Sequence, residues 1–147
     1  MIQTADDMVE LGDKIGKMCR GGEIFILRSD LGGGKTTLTR GLARSIGEED
    51  SISSPSFTLQ NTYEGDKMTI EHFDFYRLSD PGIMSFELDE ALRQPNTIVV
   101  VEWPEIVHTI IPKSHISIDI HVEKDDARRL SIQIPEKYSY IAEGLEP

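Results

Sequence analysis

A lysine followed by two threonines at the end of three consecutive glycines is a set of residue types that can hold a polyphosphate. The stretch is "SDLGGGKTTLTRGLARSIG", Ser29 to Gly47. A polyphosphate needs several donors converging on a small volume, and backbone N–H groups converge when the chain wraps tightly, which favours residues without a Cβ. Gly32, Gly33 and Gly34 supply that wrapping, flanked by Leu31. A helix starting near Lys35 adds its free N–H groups and the positive end of its dipole. Lys35 is then placed to reach the β- and γ-phosphates, and Thr36 to put a hydroxyl on Mg²⁺, with Thr37 beside it. The phosphate-loop pattern G-x-x-x-x-G-K-[ST] wants glycine where this chain has Ser29. The competing reading is a glycine-rich turn with a chance lysine. The setting opposes it, because a strand-like run precedes the loop and an amphipathic run follows.

Nucleotide hydrolysis also needs a metal held opposite the loop and a polar group that orients water. Acids at strand carboxyl ends are the natural donors in open α/β sheets. "TIVVVE" ends in Glu102 and "TIEHFD" in Asp74; a solvated loop acid is the alternative for either. His72 and Asp74 alternate onto one strand face, the only suggestive pairing among the four histidines, whose spacing does not fit a zinc site. "SSPSFT", Ser53 to Thr58, is either a plain polar loop or a segment that senses the γ-phosphate. Trp103, next to Glu102, is either core filler or a contact for nucleotide or partner.

The elements that must position these residues follow from periodicity. Met8, Leu11, Ile15 and Met18 share a helical face, Thr4 and Asp7 have the spacing of a capping pair, and Gly21 and Gly22 stop the helix. "EIFILR" reads as a short buried strand. "KTTLTRGLARSI" reads as a helix ending at Gly47. The region "EEDSISSPSFTLQNTYEG" is polar, broken by Pro55, and partly loop. "KMTIEHFDFYRL" alternates like a strand, "SDPGIMSFELDEALRQPN" holds a turn and a short helix, and "TIVVVEW" is a continuous apolar run of the kind found in central strands. "HISIDIHVEKDDARRLSIQIP" reads as a hairpin. One arm carries Ile116, Ile118, Ile120 and Val122, the other Leu130, Ile132 and Ile134. The expectation is a three-layer α/β, P-loop NTPase-like domain, with a mostly parallel sheet and a C-terminal antiparallel hairpin.

Bulk properties narrow the function classes. The 147 residues, 38% hydrophobic and 28% charged, suit one soluble domain over 1–147. A net charge of −11 opposes a large nucleic-acid surface. One cysteine, Cys19, excludes an intrachain disulfide and reads as a passive thiol in a helix. The absence of a membrane-length apolar run and the acidic N-terminus make a cytoplasmic protein the expectation.

"SDLGGGKTTLTRGLARSIG", "SPSFTL", "HFDFYRLSDP" and "VVEWPE" occur in an order and spacing that resemble the bacterial TsaE (YjeE) family, from Thr4 to about Ile134. Ser29 is the main departure, since glycine is usual there. The resemblance implies an ATPase of tRNA N6-threonylcarbamoyladenosine (t6A) synthesis. It implies that Lys35 and the Gly32–Gly34 backbone hold the phosphates, that Thr36 and Glu102 bind Mg²⁺, and that Asp74 acts in catalysis. It further implies that Thr58 belongs to a switch-like loop, that Trp103 lies near the nucleotide, and that Arg128 and Arg129 approach it. The implied partners are TsaD, which modifies the adenosine next to the anticodon, and its dimer partner TsaB; ATP hydrolysis would reset their complex. Contact with tRNA is then indirect. A small-molecule kinase, a GTPase and a non-hydrolysing ATP switch are the alternatives. The first lacks an arginine-dense lid after "VEW" and the second lacks the N-K-x-D motif.

Overall fold

Thr4 caps the first helix as its spacing to Asp7 requires. In the computed structural model, which describes residues 2–29, 33–47, 60–75 and 82–146, the Asp7 N–H donates to the Thr4 hydroxyl at 3.0 Å. The Thr4 N–H donates to the Asp7 carboxylate at 3.2 Å. Two N–H groups that the helix itself cannot pair are satisfied reciprocally. Helix α1 (Ala5–Met18) buries Met8 and Ile15, and Leu11 and Met18 pack at the edge of the same core. Past its end, Gly21 and Gly22 both take positive φ.

Strand β1 (Ile24–Arg28) follows, then α2 (Lys35–Ser45), β2 (Gln60–Glu64), β3 (Thr69–Asp74), α3 (Ile83–Arg93), β4 (Thr97–Glu102), β5 (Ile116–Val122), β6 (Arg128–Gln133) and α4 (Ser139–Leu145). The six strands form one sheet in the order β2-β3-β4-β1-β5-β6. The four central strands β3, β4, β1 and β5 are parallel; β2 and β6 run antiparallel on the two edges. The runs IFIL and TIVVVE are buried on both faces, which explains why they lack alternation.

Two apolar cores cover the sheet. On one face Phe25, Leu27, Ile98, Val100, Ile116 and Ile118 meet α1, α2 and α4. On the other Ile26, Phe73, Val99 and Val101 meet Leu88 of α3 and Val107. This is the three-layer α/β arrangement with a mostly parallel sheet and a C-terminal hairpin that the sequence predicts.

Helices α1 and α2 pack backbone to backbone. A Cβ on Gly41 would lie 2.2 Å from the Val9 carbonyl oxygen, and one on Gly12 would lie 2.3 Å from that of Leu38. That close approach sets α2, and the loop before it, against the sheet.

Three details differ from the sequence reading. Gln60–Glu64, inside a stretch read as partly loop, is a strand, so both sheet edges are antiparallel; only Tyr63 in it is fully buried. Val122 is 48% exposed, so the inward side of the hairpin arm ends at Ile120. Helix α4 was not anticipated. It is held by Ile141, which is buried, and by the Tyr138 hydroxyl, which donates to the Gly22 carbonyl at 3.2 Å. Cys19 is buried and donates to the Ile15 carbonyl; burial, together with the nearby Glu23 charge, raises its pKa, so the thiol is passive.

Candidate functional site

The carboxyl ends of β1, β3 and β4 meet on the α2 face of the sheet. Strand alternation puts Ile70, His72 and Asp74 of β3 on that face, with Ile98, Val100 and Glu102 of β4. Register then aligns the acids: Asp74 stands opposite Glu102, and Glu102 opposite Leu27 of β1. Both acids are buried.

Helix α2 points its N-terminus at this edge. Gly34, its N-cap, takes φ 115° and ψ 10°, a left-handed conformation that a Cβ would strain. The first intrahelical bond is from the Leu38 N–H to the Gly34 carbonyl, at 2.9 Å. The N–H groups of Lys35, Thr36 and Thr37 precede it and have no acceptor within the helix. Ser29, at the loop entrance, is absent from the residues with positive φ, which are Asn96, Trp103, Asp125 and Asp126 among the described non-glycines. A side chain at Ser29 therefore adds no left-handed strain.

Lys35 is buried, and its ammonium is enclosed. It donates to the Ser29 carbonyl at 3.4 Å, lies 3.7 Å from Glu102 Oε1, and stands 4.4 Å from the centroid of the Trp103 ring. Trp103 holds φ 55° and ψ 62°. A bulky residue there is strained, and such strain concentrates at functional sites. The other oxygen of Glu102, Oε2, is 2.5 Å from His72 Nε2.

Arg128 reaches the loop from β6, its Nε donating to the Gly33 carbonyl at 3.0 Å. A cavity of about 460 Å³ opens beside this contact, lined by Thr4, Met8, Gly34, Thr37, Asp126 and Arg128. Arg129 faces the other way on the strand and pairs with Glu123 at 3.0 Å, so it is not brought to the loop. Leu31, Gly32 and Thr58, with the whole "SSPSFT" stretch, lie outside the described residues. His72 belongs to the cluster although its type and spacing assign it no role in the sequence. The available signal was its alternation with Asp74.

Residues 2–130 match the family described as threonylcarbamoyl adenosine biosynthesis protein TsaE. The chain belongs to the TsaE family. A Haemophilus influenzae relative named tRNA threonylcarbamoyladenosine biosynthesis protein TsaE is 39% identical over 106 residues, covering 72% of this chain and 66% of its own length. A Treponema pallidum relative of the same name is 30% identical over 131 residues, 88% of this chain and 96% of its own. The crystal structure of YdiB from Bacillus subtilis superposes with a TM-score of 0.76 at 25% identity, over 95% of this chain and 87% of that one. The TsaE match ends within β6, before α4. Among the described residues no helix is long and apolar enough to cross a membrane.

Proposed function

We propose that the chain is a Mg²⁺-dependent ATPase required for t6A modification of tRNA, acting in the cytoplasm on the TsaD–TsaB complex through ATP binding and hydrolysis. One observation carries the reading. The ammonium of Lys35, in the first turn of α2, lies beside the buried Glu102, whose register partner on the adjacent strand is the buried Asp74.

The residues fit magnesium. Among the described residues no three His, Cys, Asp or Glu side chains cluster to hold a metal by themselves. Magnesium suits such a site, because it takes one or two protein oxygens and fills its octahedron with water and substrate phosphate. Thr36 and Glu102 would hold it, and the ion would neutralise charge developing on the phosphates.

The protein groups have separable tasks. The N–H groups of Gly33 to Thr37 bind phosphate oxygens. Lys35 exchanges the Ser29 carbonyl and the Trp103 face for phosphate oxygens, which attract an ammonium more strongly. Asp74 orients the attacking water. Arg128 holds the Gly33 carbonyl and with it the loop. ATP is preferred over GTP because the guanine-reading N-K-x-D motif is missing. The net charge of −11 leaves the grip on tRNA to the partners.

ATP turnover by the chain alone and with a TsaD–TsaB pair, with t6A formation followed in parallel, tests this. Magnesium-dependent turnover and t6A formation that requires the chain are expected. Turnover that persists in Lys35→Ala, or t6A formation indifferent to the chain, would overturn it.

A further inference from the structure

His72 is a fully buried group beside Glu102 that the proposed chemistry does not use. It faces the α2 side of the sheet two residues before Asp74. Its ring is 0% exposed, its Nε2 lies 2.5 Å from Glu102 Oε2, and its Nδ1 has no hydrogen-bond partner among the described residues. A carboxylate accepts and does not donate, so Nε2 carries the proton of this contact. The geometry thus fits the Nε2–H tautomer, with Nδ1 a bare acceptor.

This bond divides the two oxygens of Glu102. Oε2 is taken by the ring. Oε1 is left turned toward the loop lysine, 3.7 Å from Nζ, a distance at which charges attract but no hydrogen bond forms. A ring locked by packing on β3 therefore fixes the rotamer of a carboxylate on β4. Magnesium binds single oxygens in a tight octahedron, whereas calcium accepts two oxygens of one carboxylate.

We propose that His72 is a positioning residue that holds Glu102 as a one-oxygen ligand and thereby favours magnesium over larger cations such as calcium. The role rests on the magnesium–nucleotide reading above. A histidine kept only for volume would be replaced equally well by any side chain of its size. A positioning histidine is replaced only by one that returns an N–H to the place of Nε2.

His72→Gln sets an amide nitrogen near the place of Nε2, and His72→Asn sets one near Nδ1, out of reach of Glu102. Magnesium and calcium are titrated into each variant carrying a fluorescent ADP analogue. The affinity for that analogue is also measured in chelator, and circular dichroism checks the fold. Long-range ¹H–¹⁵N correlation spectra of the metal-free wild type report the tautomer. His72→Asn is expected to raise the magnesium half-saturation about tenfold or more, the scale seen when a metal ligand loses its outer partner, and to narrow the preference over calcium. His72→Gln is expected to restore most of both, with analogue affinity in chelator the same throughout and the Nε2–H tautomer in the spectra. Equal behaviour of the Asn and Gln variants, or an Nδ1–H tautomer, would overturn the role. Glu102→Ala runs beside them. If it leaves the half-saturation unchanged, the metal reading fails and the role of His72 with it. If it raises the half-saturation while His72→Asn does not, only the role of His72 is lost.

Discussion

Two glutamates are buried at opposite ends of the same pair of strands, and they are treated differently. Glu23 precedes β1 at the amino end of the sheet and is 0% exposed; Glu102 closes β4 at the carboxyl end and is 3% exposed. Glu23 is saturated. Its carboxylate accepts the Arg20 N–H at 2.8 Å, the Gly21 N–H at 2.9 Å and the Tyr140 hydroxyl. The Arg20 guanidinium in turn lies 4.0 Å above the Tyr140 ring. Helix α4 is thereby fastened to the turn between α1 and β1. Glu102 has one oxygen bonded to His72, while the other faces a lysine at 3.7 Å. A buried carboxylate with both oxygens hydrogen-bonded is a fastener. One with an oxygen left without a hydrogen bond beside a cation keeps an acceptor for a ligand, and that difference, not burial itself, sets the two ends apart.

The comparison breaks first at the acids of the β3 and β4 ends. Asp74→Ala and Glu102→Ala are each expected to lower ATP turnover per folded molecule by about 100-fold or more, since they act on the transition state; Glu102→Ala also lowers the thermal midpoint, because the buried His72 Nε2–H loses its acceptor. Glu102→Ala should also weaken the magnesium dependence of nucleotide binding. Steady-state kinetics beside thermal melts checks both. Turnover within a few-fold of wild type in both variants would remove these acids from the chemistry.

Glu23→Ala should do the reverse. Two half-buried backbone N–H groups and the Tyr140 hydroxyl lose their acceptor, at a cost of about 1–2 kcal/mol. Urea unfolding should show that loss, while turnover per folded molecule stays unchanged. A Glu23→Ala chain that keeps its stability but loses turnover would dissolve the distinction between the two ends.

A smaller effect is expected where α1 and α2 touch. Gly41→Ala puts a methyl against the Val9 carbonyl and should destabilise by about 1–3 kcal/mol, the range for overpacking a tight contact. Because α2 carries the loop, nucleotide affinity measured on the folded variant should fall as well.

The smallest concerns Asp13, buried on α1 beside Lys17 at 2.9 Å and Arg44 at 3.2 Å. Burial works to raise its pKa, but the bonds from Lys17 and Arg44 win and hold it below the usual carboxylate value. A carboxylate with a depressed folded pKa contributes stability above its unfolded pKa and loses it as pH falls through the folded one. Asp13→Asn should therefore cost less than about 1 kcal/mol at pH 7 and flatten the stability profile below about pH 4. Thermal melts from pH 2 to 7 read this directly.

Much of the frame was legible because its signals are local. The Thr4–Asp7 cap, the helical face from Met8 to Met18 and the apolar runs of β1 and β4 each express a period or a spacing. Glu102 and Asp74 followed from one rule about acids at strand ends, and parallel register brings them side by side. What escaped depends on tertiary pairing. The edge strand Gln60–Glu64 is polar, with one fully buried residue, so it becomes a strand only against β3. Helix α4 is seven residues long and depends on Glu23 and Gly22, distant in sequence. Arg128 and Arg129 are indistinguishable by composition, and only the facing of β6 sends the first to Gly33 and the second to Glu123. The bond between His72 and Glu102 spans 30 positions and could be foreseen only once β3 and β4 were known to be neighbours.

The central claim is that the N-terminus of α2 binds Mg²⁺–ATP through Lys35. The most direct measurement is calorimetric titration of ATP, in magnesium, into wild type and into folded Lys35→Ala. The expected loss is about 1.5–3 kcal/mol, the scale of a charge-assisted hydrogen bond. An affinity unchanged by Lys35→Ala would contradict the site.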